Sequence, residues 1–345
     1  LTRSTTTYRK GIEQMLKFDE EEFLTQLSSA VELRSAIEET VEDLVGRGLQ
    51  NVFFIGSGGS YAEMLPYEYL IRTRSPLPVH SVIAPEFALA PDPTFGPGSL
   101  AVFVSASGTT EDVNKLIDFA KEKGAYTLGF TPEAESPFAQ ALDRVFIASS
   151  HSYDLQLILL TTKILFERGE FADYATLADQ LALVPRLLVD VAKQAEPVAA
   201  AFAQKHRETD YHFLVGSGNL WGYTYLYSMC VLEECQWLHT TRVHAAEFFH
   251  GSLELIEKDT SVILFVGEDE TRPLMDRVSN FVTTYSDDVN TFDTADYPLP
   301  GVDDRFRALL SPLVIGTVAG RVSRHLEKER DHDLSLRRYY RVVAY

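Results

Sequence analysis

Cysteine is close to absent from this chain: Cys230 and Cys235 are the only two in 345 residues, five apart in a stretch with helical periodicity. Side chains at that spacing diverge around a helix, which argues against a disulfide framework and fits a reducing compartment. Long hydrophobic runs are missing as well. Charge, Gly or Pro interrupts every apolar stretch well before the ~18 residues that a membrane span needs, and the opening LTRSTTTYRK lacks the apolar core of a signal peptide. The expectation is a soluble, cytoplasmic protein. Basic residues are scarce, 31 Lys and Arg against 50 Asp and Glu, for a net charge of −19. Such a charge repels phosphate backbones and anionic lipid at long range, disfavouring nucleic acid and membrane as partners. It also means that a site for a small anion must create its own local positive field. With 45% hydrophobic residues, the chain is long enough to bury two cores of ordinary size.

Residues 1–35 are polar and then amphipathic and read as an arm or helix packed on another surface, with no chemistry assigned. Residues 36–49 read as a helix ending at Gly48, and Asn51 to Ile55 as a buried strand running straight into GSGGSY. A strand, a Gly-rich turn and a helix expose backbone N–H groups that collect anions, with the Ser57 and Ser60 hydroxyls as further donors. The turn fails the dinucleotide fingerprint, because Tyr61 stands at the third glycine of G-x-G-x-x-G. Nicotinamide and flavin are demoted, and no cofactor is expected. After a helix and a Pro-rich loop from Ala84 to Gly98, a second buried strand, Leu100 to Val104, opens into SASGTTEDV and a helix. An ordinary N-cap uses one hydroxyl. Here Ser105, Ser107, Thr109 and Thr110 put four on one turn, which favours a phosphate held without a basic side chain.

A third strand (126–130), a further helix and strand, and a long helix from Tyr153 to Phe166 complete a pattern in which strands alternate with helices, as in a doubly wound parallel sheet. The Ala/Leu-rich stretch 167–205 reads as a connector. Then the pattern repeats: HFLVGSGNLWGYTY from His212 restates VFFIGSGGSYAEM from Val52 at an offset of 160, and SVILFVGEDETRPL restates LAVFVSASGTTEDV. The expected fold is therefore α/β, two tandem doubly wound parallel-sheet units flanked by helices, with an arm (1–35), a first unit and connector (36–190) and a second unit (191–345). Gly267, Asp269 and Leu220 replace Ser105, Ser107 and Ser60 in the second copy, so only the first is expected to hold phosphate.

The second copy carries instead a concentration of proton-transfer groups, VLEECQWLHTTRVHAAEFFHG. Its first half reads as a helix on which Tyr227, Val231, Glu234 and Leu238 share an apolar face, so Glu234 is expected to lose hydration and to serve as a base. Glu233, around the helix, is a rival base or an ion-pair partner. His250 is placed on a loop after the helix, able to give and take protons. Phe248 and Phe249 need a surface to bury against, and a two-fold interface would provide one. His239, His244 and His250 at intervals of five and six do not share a helical face in the manner of zinc ligands, so no metal is expected.

With GSGGSY, SASGTT and a Glu followed sixteen residues later by the His of EFFHG, the chain resembles the double sugar-isomerase (SIS) proteins. Within them it is most similar to the bacterial fructosamine-6-phosphate deglycases, through GGSYA, the EECQWLHTTRVHAAEFFHG segment, DETRPL and RRY at 337–339. It departs from their usual CGGS and FHGP in reading SGGS and FHGS. The resemblance implies that Gly58, Gly59, Ser60, Ser105, Ser107 and Thr110 surround a 6-phosphate, that Glu234 is the base, and that His250 is the acid/base group offered by a neighbouring subunit of a homodimer. It implies cleavage of 6-phosphofructosyl-amines, such as fructoselysine 6-phosphate, to glucose 6-phosphate and a free amine or amino acid. Arg272, Arg337 and Arg338 are then candidates to hold a substrate carboxylate. The isomerase half of glucosamine-6-phosphate synthase shares the Glu-to-His interval but uses a C-terminal lysine, and no lysine follows Lys328 here. An amino-sugar-phosphate isomerase or deaminase, and a non-catalytic sugar-phosphate sensor, are the alternative readings. Against the sensor stand the absence of a helix-turn-helix pattern or basic patch and the presence of both Glu234 and His250.

Overall fold

The structure, a computed structural model, describes residues 15–344, so the first fourteen residues of the expected arm lie outside the described residues. The remainder of that arm forms α1 (Glu20–Val31), whose first turn is capped by the Asp19 carboxylate accepting from the Glu22 amide at 3.0 Å. It is followed by α2 (Arg34–Gly46), β1 (Asn51–Gly56), α3 (Gly59–Arg74), β2 (Val79–Ile83), α4 (Ala84–Leu89) and β3 (Ser99–Val104). Then come α5 (Glu111–Glu122), β4 (Tyr126–Thr131), α6 (Pro137–Ala141), β5 (Arg144–Ile147), α7 (Tyr153–Glu167), α8 (Tyr174–Leu181) and α9 (Val184–Lys205). The second half comprises β6 (Tyr211–Gly216), α10 (Trp221–Leu226), α11 (Glu234–Gln236), β7 (His239–His244), β8 (Val262–Val266), α12 (Arg272–Tyr285), β9 (Val289–Asp293) and α13 (Asp304–Glu329).

Two parallel sheets result, ordered β2-β1-β3-β4-β5 and β7-β6-β8-β9. Parallel strands need crossover helices on both faces, so their central strands are covered on both sides: β1, β3 and β8 are buried along their whole length and apolar but for Asn51 and Ser99 at the starts of β1 and β3. The period of two divides each strand between two cores. Val52 and Phe54 of β1 join a large cluster that also contains Leu214 and Ile263 of the second sheet, whereas Phe53 and Ile55 face a separate cluster with Phe87 and Ile117. The shared cluster fuses the two units, and the long helices α9 and α13 pack together across it. The division drawn at 190/191 falls inside α9.

Three strands are not read from the sequence, β2, β7 and β9, the last (Val289–Asp293) pairing with β8. HTTRVH, taken there as a loop, is β7, parallel to β6 with Tyr211 opposite His239, and the corresponding β2 pairs with β1. All three are edge strands. One side of their backbone is unpaired, so the apolar alternation of a covered strand is not required of them. The loop read from Ala84 to Gly98 opens with α4.

In each sheet the chain turns one way after its first strand and the other way after its third. This places the β1–α3 and β3–α5 turns side by side at the carboxyl edge, the usual position of a ligand crevice. Helix α10 of the second unit crosses α3 at Gly222, where a Cβ would fall 2.5 Å from the Ala62 carbonyl oxygen and 2.9 Å from both Leu65 Cβ and Pro66 Cδ. Gly222→Ala is therefore expected to force the two helices apart and to destabilise the protein by about 1–3 kcal/mol. Gly46→Ala, with nothing within 4 Å, serves as the neutral control. Urea unfolding curves compare the two, and an unchanged midpoint for Gly222→Ala would show that this crossing does not fix the units.

Candidate active site

The site starts at the β1–α3 turn. Gly58 has φ 58°, a left-handed conformation that suits glycine, and a Cβ on Gly59 would lie 3.6 Å from the Cys230 sulfur. Beside it, the β3–α5 turn is organised by its own hydroxyls. Ser105 Oγ accepts from the Gly108 amide at 3.0 Å, and Thr109 donates to Ser107 Oγ at 3.1 Å. Thr110 is the N-cap of α5 but makes no side-chain capping bond, so the ordinary use of that hydroxyl is not realised. A cavity of about 1030 Å³ lies between the units, lined by Gly58, Gly59, Ser60, Ser105, Ser107 and Thr110 on one side and by Glu233 and Glu234 on the other. Thr109 supports Ser107 and does not itself line it.

The equivalent turns of the second unit are closed by the protein itself. Asp269, at the position of Ser107, accepts from the Asn219 and Thr271 amides, each at 2.8 Å. Its carboxylate thus takes up the amides of the β6 and β8 turns. A Cβ on Gly218 would lie 2.2 Å from it.

Glu233 and Glu234 do not sit on a regular helix. Residues Tyr227–Glu233 form a π-helical segment between α10 and α11. Its wider turn rotates everything beyond it, and such segments concentrate at functional sites. Tyr227 is buried as expected, but Glu234 is not on its apolar face. Arg337 Nε donates to Glu234 Oε1 at 2.9 Å, so this half-buried carboxylate has a cation beside it where the sequence reading expected apolar surroundings. Glu233 is held by Arg242 at 3.1 Å and by the Thr240 hydroxyl, which makes it the ion-pair partner of β7.

A family model described as SIS domain matches residues 48–163, the first unit. The fructosamine deglycase FrlB of Bacillus subtilis (strain 168) is 33% identical over 90% of this chain and 97% of its own length. The fructoselysine 6-phosphate deglycase of Escherichia coli (strain K12) is 24% identical over 91% of each. A solved Bacillus subtilis structure assigned as a phosphosugar isomerase superposes with a TM-score of 0.87 at 30% identity, covering 92% of this chain and 99% of that one. The chain belongs to the SIS sugar-isomerase family. It is an enzyme of the phosphosugar isomerase and deglycase type.

Several expected residues of this SIS protein lie apart from the cavity. His250 is exposed on a short 3-10 turn and does not line the cavity of its own chain. Phe248 is fully buried against Phe213 and Phe281, and Phe249 packs on Phe281 and under the Arg277 guanidinium. The need of these rings for a partner surface, the sequence argument for a two-fold interface, is therefore met within the chain. Arg272 is paired with Asp293 and donates to the Gly267 carbonyl at 2.9 Å. Arg338 lies over the Trp237 ring at 4.1 Å. Arg337 directs its remaining donors to the Leu334 and Leu336 carbonyls and to Cys235. All three candidates for a substrate carboxylate are engaged with the protein.

The SIS cavity also contains groups that the sequence reading passed over. Glu63, on α3, and Asp154, at the start of α7, both line it. Burial raises the Glu63 carboxyl well above its usual range, and the neighbouring Asp154 charge adds to the effect. Burial likewise lifts Asp154 from 3.8 to about 6, opposed by the Tyr67 hydroxyl that donates to it. Tyr153 lines the same wall with its buried hydroxyl unpartnered. The one available signal was an acid in HSYDLQLILL, at the head of an otherwise apolar helix. Because Asp154 holds its proton more tightly folded than unfolded, its contribution to stability is complete below about pH 3.8 and is lost as pH rises through about 6. Asp154→Asn keeps an acceptor for Tyr67 and cannot ionise. Its thermal midpoint should fall less than that of the wild type between those pH values, and parallel pH profiles would contradict this placement.

Proposed function

We propose that the enzyme cleaves 6-phosphofructosyl-amines to glucose 6-phosphate and a free amine. The observation that carries this reading is the convergence on one cavity of a hydroxyl-rich, amide-rich turn suited to a phosphate and a carboxylate suited to proton transfer, Glu234. The identity with the deglycases over nearly the whole chain supports the same substrate class.

The chemistry follows from the substrate. In an open-chain ketoamine the C2 carbonyl acidifies the C1 protons. Glu234 removes one, the electron pair moves toward the carbonyl, and that oxygen takes a proton to give an enaminol. Protonation at C2 then yields an aldimine, and addition of water to its C1 releases the amine and leaves the aldehyde of glucose 6-phosphate. The substrate's own nitrogen conjugates with the reacting carbons, so a lysine that opens the sugar as an imine is not required. Arg337 would orient the Glu234 carboxylate at the cavity wall. A group at about 2.9 Å on one oxygen leaves the other available to the substrate.

His250 fits the reaction as the group that moves the ring-opening proton, and its exposure outside the cavity of its own chain supports delivery by a second copy. We therefore assign the working unit as a homodimer with shared sites. Glu234→Gln keeps the shape of the base and removes its proton affinity, so glucose 6-phosphate release from 6-phosphofructosyl amino acids should be lost while glucose 6-phosphate still binds within a few fold. His250→Ala should also be inactive. Mixing the two with subunit exchange should restore activity to about a quarter of the wild type, because each heterodimer then has one intact site of two. An active Gln variant would remove Glu234 from the reaction, and no recovery after demonstrated exchange would end the shared-site assignment.

A further inference from the structure

The C-terminal tail crosses the cavity and brings one further group to it. Beyond α13, Arg337 binds Glu234 and Arg338 stacks on Trp237, and these two contacts tie the tail to the wall that carries the base. Four residues past the first of them, Arg341 reaches the opposite wall, where its Nη2 donates to Ser107 Oγ at 3.1 Å. The backbone there is unusual. Arg341 has φ 57°, a left-handed conformation that costs a non-glycine residue about 1 kcal/mol and tends to persist where a side chain must be aimed.

The charge around it is more informative than the contact. Glu63, Asp112, Asp154, Glu233 and Glu234 all line the cavity, and Arg341 is the one Arg or Lys side chain that does so among the described residues. Helix α5, whose N-terminus faces the turn, carries Glu111 and Asp112 in its first turn, and these offset the positive end of its dipole. A phosphate dianion entering this turn meets amides and hydroxyls but a negative surrounding field. Meanwhile Arg341 has no carboxylate partner within 4 Å among the described residues, only Ser107 and the ring of Tyr340, in a chain with far more acids than bases.

We propose that Arg341 is the counter-charge of the sugar phosphate: on binding, its guanidinium exchanges the Ser107 hydroxyl for phosphate oxygens and closes the tail over the β3–α5 turn. This rests on the reading of that turn as the phosphate site and adds a charged ligand to it. A guanidinium presents two parallel N–H donors that match a phosphate edge, which lysine does not reproduce. Discrimination for the phosphorylated sugar over the free sugar therefore comes in large part from the tail.

Calorimetric titration of the full chain with glucose 6-phosphate, at low and high salt, tests this. Arg341→Ala should weaken binding at least about tenfold at low salt and remove most of the salt dependence of the wild type, with Arg341→Lys recovering part of both. Binding of the phosphate-free ketoamine should be unchanged, and the loss in turnover should appear in KM more than in kcat. Wild-type affinity and salt dependence in Arg341→Ala would overturn the proposal. Ser105→Ala with Ser107→Ala separates the two layers. If this pair loses affinity and Arg341→Ala does not, the turn holds the phosphate and the tail does not. If neither changes it, the phosphate lies elsewhere and both readings fail.

Discussion

An acidic protein that handles a phosphorylated sugar must bring two negative charges, a proton-accepting carboxylate and a phosphate, into one cavity. Most of the architecture around the site can be read as a response to that constraint. The two charges are given different units of the molecule. The first unit supplies the Gly58–Ser60 and Ser105–Thr110 turns, and the second supplies Glu233 and Glu234 on the facing wall. Each acid on that wall is paired, Glu233 with Arg242 from β7 and Glu234 with Arg337 from the tail. Of the other lining carboxyls, Glu63 and Asp154 are buried and pushed by that burial toward the protonated form.

The duplication explains how one fold carries both roles. Both units place two turns at the carboxyl edge of a parallel sheet, with a position beside them that the proposal gives to a phosphate in the first. In the first copy small hydroxyl residues leave that position open. In the second, Asp269 fills it with its own carboxylate, bonded to the Asn219 and Thr271 amides. The acid/base candidates Glu233, Glu234 and His250 belong to this second unit, between β6 and β8. The π-helical stretch Tyr227–Glu233 then sets how the two carboxylates face the cavity, with Cys230 packed against Gly59 of the facing turn.

The central strands and their turns were readable because buried parallel strands announce themselves: VFFI and LAVFV are apolar runs followed by Gly or Ser, and the second copy repeats the pattern. The edge strands β2 and β7 were not, since VHSVI and HTTRVH need to cover only part of a sheet. Their starts are nonetheless 160 residues apart, the offset of the repeat itself, and that register could have located one from the other. Glu234 does line the cavity, but its setting was misjudged, because a 3.6-residue period assigns it an apolar face and the π segment breaks that period. The tail arginines show the same limit. Arg337 and Arg338 looked free in sequence, and what occupies them, Glu234 and Trp237, lies about a hundred residues away in the chain. Arg341, which the sequence reading passed over, is the one that reaches the β3–α5 turn.

The central claim is that one cavity holds the phosphate at the first unit's turns and the reacting carbons at Glu234. A crystal of the protein soaked with glucose 6-phosphate tests it directly. The account predicts phosphate oxygens within hydrogen-bond distance of the Ser60, Ser105, Ser107 or Thr110 hydroxyls, and the C1–C2 end of the sugar against the Glu234 carboxylate. Phosphate density at the Asp269 turn, or a sugar whose C1–C2 end points away from Glu234, would contradict it.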